Sequence, residues 1–391
     1  MSLVYLDHAA TTPLDARVLA AMTPYFLECF GNASSRQHRL GREAAEAVEG
    51  AREQVAALLG ADPREIVFTS GATEANNLAL KGVAAAEAYA DAPRHVVSCV
   101  TEHTAVLDPL RTLECQGFRV TRLGVDGAGR VDLERLRSVL AEGVRLVSLM
   151  FANNETGLLH PVGEIGALCR EHGALFHTDA TQAVGKEAID VDALCVDLLS
   201  LSAHKLHGPK GVGALYLRRK RPRVRCRALL DGGGHERGAR SGTLNVPGIV
   251  GLGGAAGLAR DEGGTDTQRV RALRDRLEAG LLALGDVVLN GDAQHRLASI
   301  TNLSFAGTDA ESLLARLEDV CASSSAACTS ATLQPSHVLR SLGLSEERIA
   351  GSVRFSLGRT TTAEEIERAL LEIAAAVRVE RSEGPRNLCE S

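Results

Sequence analysis

Short apolar runs alternate with helical periodicity through the first two thirds of the chain, and this pattern predicts an α/β fold. Arg36 to Leu59 carries apolar residues at helical spacing, and Gly60 follows where a left-handed backbone stops a helix. Ile66-Val67-Phe68-Thr69 reads as a short buried strand, followed at once by Ser70-Gly71-Ala72-Thr73-Glu74 and another helical segment. His95 to Val100, Val144 to Phe151, Ala174 to Asp179 and Val196 to Ser202 are near-continuous apolar runs, as expected when helices cover both faces of a sheet. Helical stretches at Asp132 to Glu142 and Val162 to His172 separate them. The expected architecture is a mainly parallel sheet flanked by helices, with active groups at the carboxyl ends of its strands.

The character changes after about Gly251. A Gly-rich run to Gly257 leads into a polar helical stretch containing Asp261-Glu262-Gly263-Gly264. Later come a strand (Leu297 to Phe305), a capping box at Thr308 with Glu311, and a second strand (Val353 to Leu357). A final helix begins at Thr362 with Glu365 three residues on. Strand and helix interleave less regularly here, which predicts a smaller α+β domain. The expected division is a large domain over 15–257 and a small one built from 1–14 plus 258–391. The polar tail from Arg381 to Ser391 is expected to fray.

Composition narrows the function classes. The chain has 391 residues, enough for two or three domains. Its 43 Lys and Arg against 49 Asp and Glu give a formal charge of −6, with no global electrostatic reason to bind nucleic acid or an acidic membrane. Aromatics at 3% argue against base-stacking platforms. No apolar stretch reaches the ~20 residues that span a bilayer, and Met1 to Tyr5 lacks the basic start of a signal peptide. Nine scattered cysteines, an odd number with no CxxC pair, point to a reducing, cytoplasmic setting without disulfides. His204 and His207 flank Lys205 but have no Cys, Glu or Asp ladder beside them, so no metal site is expected. Gly251-x-Gly253 has no clear strand before it and is a poor dinucleotide fingerprint.

Three motifs carry chemistry. The run Leu199 to Gly211 delivers Ser202, His204 and Lys205 from a buried strand into a turn rich in Gly and Pro. Lys205 is either a loop lysine or, with its proton lost to desolvation or nearby charge, a Schiff-base former. Asp179 ends another buried strand; there a carboxylate either caps a helix or keeps a pyridine nitrogen protonated. The Thr69 to Thr73 turn opens a helix, so the free N–H groups around Ala72 and Thr73 serve either as an ordinary helix start or as a phosphate cradle. The three together specify pyridoxal phosphate far better than any one does.

With these residues the sequence resembles a cysteine desulfurase of the NifS/IscS type, in the class V branch of fold-type I pyridoxal-phosphate enzymes. The matching segments begin with Asp7-His-Ala-Ala-Thr-Thr-Pro13, Phe30-Gly-Asn-Ala-Ser-Ser35, Phe68-Thr-Ser-Gly-Ala-Thr-Glu74, Thr101-Glu-His103 and Asn153-Asn-Glu-Thr-Gly157. They continue through Asp179-Ala-Thr-Gln182, Ser202-Ala-His-Lys205, Gly232-Gly-Gly-His-Glu-Arg-Gly238 and Arg240-Ser-Gly-Thr243. Ser323-Ser-Ser-Ala-Ala-Cys-Thr-Ser330 and Arg354-Phe-Ser-Leu-Gly-Arg359 complete the set.

The resemblance implies that Lys205 binds the cofactor covalently, Asp179 pairs with the ring nitrogen, and Gln182, helped by Asn154, meets the ring oxygen. It places His103 on the ring face. Ala72, Thr73, Ser202 and His204 would hold the phosphate, with Thr243 reaching in from a second subunit, and Arg354 would take the substrate carboxylate. A homodimer with shared active sites follows, as does L-cysteine as substrate. Lys205 is the expected base at Cα. Sulfur release needs a second nucleophile, and Cys328, amid the small residues of Ala322 to Ala331, is expected to form a persulfide on an exposed loop. Cys321, seven residues earlier, is expected to pack.

The implied product is alanine, with sulfur passed to an acceptor protein such as an iron–sulfur scaffold. A selenocysteine lyase or class V aminotransferase would use the same cofactor apparatus, but an aminotransferase would not need Cys328. Ser325-Ala326 departs from the family's usual Gly-Ser, His207 stands at an often aromatic position, and the tail holds no recognised scaffold-docking segment. Arg218 to Arg227, with seven basic residues in ten positions, is expected to form a solvated hairpin or to dock an acidic acceptor.

Overall fold

The computed structural model describes residues 3–324 and 335–383. Among these, the central sheet comprises β1 (Ile66–Thr69), β2 (His95–Cys99), β3 (Arg119–Leu123), β4 (Leu146–Ser148), β5 (Leu175–Asp179), β6 (Leu198–Ser202) and β7 (Gly213–Leu217). Their order across the sheet is β1-β7-β6-β5-β4-β2-β3. All neighbours are parallel except β7, which runs antiparallel to both β1 and β6. Because β1 and β6 both oppose β7, they point the same way. The carboxyl ends of β1, β2, β5 and β6 therefore share one edge of the sheet, and the site is built there.

The expected mainly parallel sheet is present, with two strands the hydropathy pattern did not predict. Strand β3 lies at the sheet edge and is partly exposed, so its Arg119-Val-Thr-Arg-Leu123 alternation lacks the continuous apolar signal of its neighbours. Strand β7 is buried, but Gly213 at its start reads as a loop residue. A Cβ there would sit 2.5 Å from the Leu201 carbonyl oxygen and 2.7 Å from Gly71 Cα, so β7 can close on the site only with glycine.

Helix α1 (Arg39–Leu59) ends at Gly60 in the left-handed conformation (φ 66°), as its pattern predicts. It packs along α2 (Val246–Leu282), a single helix that passes through residue 257 and contains Asp261 to Gly264. Arg52 of α1 and Glu236 form a buried ion pair at 2.8 Å, and Glu236 also accepts from the Phe68 N–H at 2.8 Å. This links the Gly232 to Gly238 motif to the strand that leads into the turn at Gly71.

A second, antiparallel sheet holds Ile300–Phe305 between Val287–Leu289 and Ser352–Ser356, the last pairing also with Ser323–Ser324. Its core, with Leu303, Phe305, Phe355 and Ile373, is separate from the apolar clusters under the seven-stranded sheet. The N-terminal strand Val4–Tyr5 pairs with Val320–Cys321, tying the chain start to this part.

Several local expectations change. Helix Ala310–Ala315 is capped by Asp309, whose carboxylate accepts from the Ser312 N–H; Thr308 turns back to the Phe305 carbonyl instead. The capping box at Thr362 and Glu365 is present in both directions. Arg381 lies inside the last helix, Ala363–Glu383, with its guanidinium on the Ala306 and Gly285 carbonyls. The segment from Arg218 is solvated at Arg219, Lys220, Arg221, Arg223, Arg225 and Arg227, as expected, but it is no hairpin and Arg218 departs from it. Arg218 is buried on Asp192 and near Asp197, Val224 is buried, and the following residues form no strand. Cys321 is half-buried in its short strand. Cys328 and Cys389 lie outside the described residues.

Candidate active site

The carboxyl edge of the sheet opens into a cavity of about 620 Å³. Strand β6 runs into a tight 3-10 turn, Ala203–Lys205, which presents Lys205 and His204 to it. The Lys205 amine donates to the carbonyls of Ala9 and Ala10, the latter at 2.6 Å, so the N-terminal segment closes one wall. His204 lies on the same segment through Thr11 Oγ1 at 3.1 Å; burial and the charges of Lys205 and Lys210 push its pKa down to about 4.

Asp179, at the end of β5, is buried and faces this cavity. Its Oδ2 accepts from Asn76 Nδ2 at 2.7 Å and its Oδ1 from the Thr181 N–H at 3.0 Å. His103, four residues beyond β2, lines the cavity and takes the Ala105 N–H on Nδ1, which caps the helix Thr104–Cys115. Enclosure by surrounding atoms, then the charges of Lys205 and His337, hold its pKa below the ordinary value against the pull of Asp179. His103 is therefore neutral near pH 7.

The opposite rim begins at the helix Ala72–Ala84, which starts at Gly71 without a side-chain cap. Ala72, Thr73 and Ser202 line the cavity beside it. Glu74 accepts from the Ser70 N–H at 2.7 Å and from Arg240 Nε at 2.8 Å, which fastens the Arg240 to Thr243 motif to this turn. Thr243 itself is exposed and outside the cavity wall. Gln182 and Asn154 line the cavity, and Arg354 enters from the second sheet. The residue is only 2% exposed, and its guanidinium donates to the Asn154 carbonyl at 3.0 Å and to Asp7 Oδ1 at 2.8 Å. The site thus gathers ten residues expected from the sequence and needs both sheets.

Asn76, Asp7 and Glu102 were not singled out from the sequence. Asn76 lies one helical turn after Ala72, on the buried face of the helix, and that spacing was the available signal. Glu102 is buried next to His103. Burial pushes its carboxyl well above the usual range, and Asp179 adds to this, against the hydrogen bond from the Met150 N–H.

This arrangement, at the carboxyl edge of a mainly parallel sheet, is the one expected of a fold-type I pyridoxal-phosphate enzyme. A profile of the class-V aminotransferases matches residues 4–369. The chain is 56% identical over 383 residues to the cysteine desulfurase IscS of Anaeromyxobacter sp. (strain Fw109-5), covering 98% of this chain and 94% of that one. It is 51% identical over 384 residues to the cysteine desulfurase IscS of Haemophilus influenzae (strain PittGG), with the same coverage. Among solved structures it is similar to a NifS-like protein (TM-score 0.89, 38% identity, 96% of this chain and 100% of that one). It is also similar to SspA in complex with cysteine (TM-score 0.80, 35% identity, 92% and 99%). The chain belongs to the class-V aminotransferase family and, within it, to the pyridoxal-phosphate-dependent cysteine desulfurases. Among the described residues no helix is long and apolar enough to cross a membrane.

Proposed function

We propose that the cavity at the sheet edge converts L-cysteine to L-alanine and passes the sulfur to Cys328, with Lys205, Asp179 and His103 as its working groups. The observation that carries this is the convergence of Lys205, Asp179 and Arg354 on one cavity from two sheets. The residues present fit the cofactor. The helix at Ala72 offers uncapped N–H groups to a phosphate, Asp179 is a fixed anion for a ring nitrogen, and Lys205 is an amine within the same space. Asn76 Oδ1, Thr181 Oγ1 and Arg354 Nε, all on cavity-lining residues, have no hydrogen-bond partner among the described residues, so the wall retains polar capacity for ligands.

When bound, pyridoxal phosphate supplies an electron sink that stabilises negative charge at the substrate Cα. Arg354 holds the substrate carboxylate, already aimed by Asp7 and the Asn154 carbonyl. Lys205, as a free amine beside the bound substrate, would be the base at the Cα proton. Neutral His103, whose Nδ1 takes the Ala105 N–H, carries its hydrogen on Nε2, the nitrogen left to give a proton at the ring face. The Cys328 thiolate then attacks the substrate sulfur. An S–S bond forms as the substrate C–S bond breaks, and the residual carbon skeleton takes up protons to leave alanine. Cys328 is assigned from the sequence, since it lies outside the described residues.

The enzyme is read as a homodimer in which Thr243 serves the second copy's cavity. Its exposure and its tether through Arg240 and Glu74 support this, as do the exposed Phe26, Leu27 and Phe30. The division at residues 14 and 257 into a cofactor domain and a domain carrying the cysteine loop is part of the same reading. The acceptor is read as an iron–sulfur scaffold or another sulfur-carrying protein. Borohydride reduction of the yellow protein followed by peptide mapping tests the cofactor assignment. The pyridoxyl group is expected on Lys205, and its recovery on any other lysine refutes the reading.

A further inference from the structure

A second cavity of about 60 Å³ shares Lys205 as a wall residue with the main one. His8, Lys186, Lys205, His207, Ser299 and Arg359 contribute to its wall. Lys186 is the feature the mechanism does not use. Its amine donates to Gln182 Oε1 at 3.3 Å, and Gln182 Nε2 donates to the Ala9 carbonyl at 2.9 Å. The Ala9 carbonyl also takes the Lys205 amine. One chain of contacts therefore joins Lys186, Gln182, the Ala9 carbonyl and Lys205.

An amide can present either its oxygen or its nitrogen to a given side, and its partners decide which. The protonated Lys186 amine has only N–H groups to offer. The Gln182 oxygen must face it, so the NH₂ group lies on the other side. One of its hydrogens goes to Ala9, and the second remains for a ligand in the main cavity, whose wall Gln182 forms.

We propose that Lys186 is a positioning residue for the cofactor site: in its protonated form it locks the Gln182 amide with its N–H edge toward the cofactor's ring oxygen and sets a positive charge beside Lys205. This rests on the reading that Lys205 and Gln182 contact the cofactor.

The Lys186 charge has no carboxylate in direct contact and only Glu187 acting on it from a distance. Among the described residues it forms no ion pair. Asp266 of α2 is committed to Arg359 and Arg269, and the adjacent Glu187 feels the charges of both Arg271 and Lys186. From the N-terminal segment His8 faces it, and from the turn after β6 His207; burial holds them down to about 3 and about 4, so both are neutral at pH 7. Desolvation, then the Lys205 charge, against Glu187, brings Lys186 itself down to about 7. A cation spent on an amide in this setting does nothing for stability; it acts on what the amide and Lys205 touch.

Both parts of the device push one way. A donor on the ring oxygen and a nearby positive charge each disfavour a proton on the lysine–cofactor linkage. The test is a pH titration of the visible absorbance of resting holoenzyme without substrate, in wild type, Lys186→Met, Lys186→Gln and Gln182→Leu. Lys186→Met should move the midpoint upward by about one pH unit, a tenfold change in proton affinity, with thermal stability retained. Lys186→Gln, which keeps a donor, should move it less. Should Lys186→Met titrate with wild type while Gln182→Leu shifts, the proposal is overturned and the placement of Gln182 stands. Should Gln182→Leu also titrate with wild type, the placement of Gln182 at the ring fails and the proposal with it.

Discussion

Asn76 holds Asp179 from behind: its Nδ2 lies 2.7 Å from Oδ2 of the buried carboxylate. With the Thr181 N–H on the other oxygen, this fixes the anion's plane and aims it into the cavity. A neutral donor does this without cancelling the charge, which a lysine or arginine would do.

Replacing Asn76 with Leu should leave the fold intact but let the carboxylate rotate. A fall of about 10- to 100-fold in kcat/KM is expected, in the range of lost contacts behind a working group. Weaker cofactor retention on dialysis should accompany it. Unchanged kcat/KM and cofactor content would show that Asp179 needs no such clamp.

Arg354 and Asp7 separate binding from chemistry. Arg354→Lys keeps a charge but loses the planar fork, so KM for L-cysteine should rise about tenfold or more with a smaller change in kcat. Asp7→Asn removes only the aim and should raise KM less. Steady-state kinetics on both variants check this. An effect confined to kcat would mean that Arg354 does not hold the carboxylate.

The buried histidines set the acid limb of stability. His160 and His177 are held neutral, each with a pKa near 4, by burial, and neither is near 6.5 as in the unfolded chain. A depressed histidine stabilises the fold fully above pH 6.5 and loses that contribution as pH falls from 6.5 toward 4, because the unfolded chain binds the proton first. Each group adds up to about 1.4 kcal/mol per pH unit to the slope. Neither ring nitrogen of His160 has a hydrogen-bond partner among the described residues, so His160→Leu removes one such contribution cleanly. Urea unfolding at pH 7 and pH 5 should show a smaller difference for this variant than for wild type. Equal differences would refute the assignment.

Much of this was legible in the sequence, and particular residues show why. Gly60 and the Thr362 with Glu365 box are local devices whose geometry is written in adjacent residues. Asp179 ends a near-continuous apolar strand and Lys205 sits in the turn just past another, so both their place and their chemistry could be read. Asn76 and Asp7 could not be, because their partners stand 103 and 347 positions away and only the folded sheets bring them together. Strand β7 was hidden by Gly213, which packing demands and which a hydropathy pattern counts as loop. Arg218 looked like one of seven solvated charges, but the carboxylates of Asp192 and Asp197 that draw it inward lie over twenty residues earlier.

Sulfur transfer to Cys328 is tested most directly by giving the enzyme L-cysteine labelled with radioactive sulfur, then measuring alanine and mapping the label. Wild type should form alanine and carry thiol-releasable label on the peptide containing Cys328. Cys328→Ser should lose both while still binding the cofactor at Lys205. If Cys328→Ser forms alanine at the wild-type rate, the sulfur is not leaving through this cysteine and the mechanism proposed for the site is wrong.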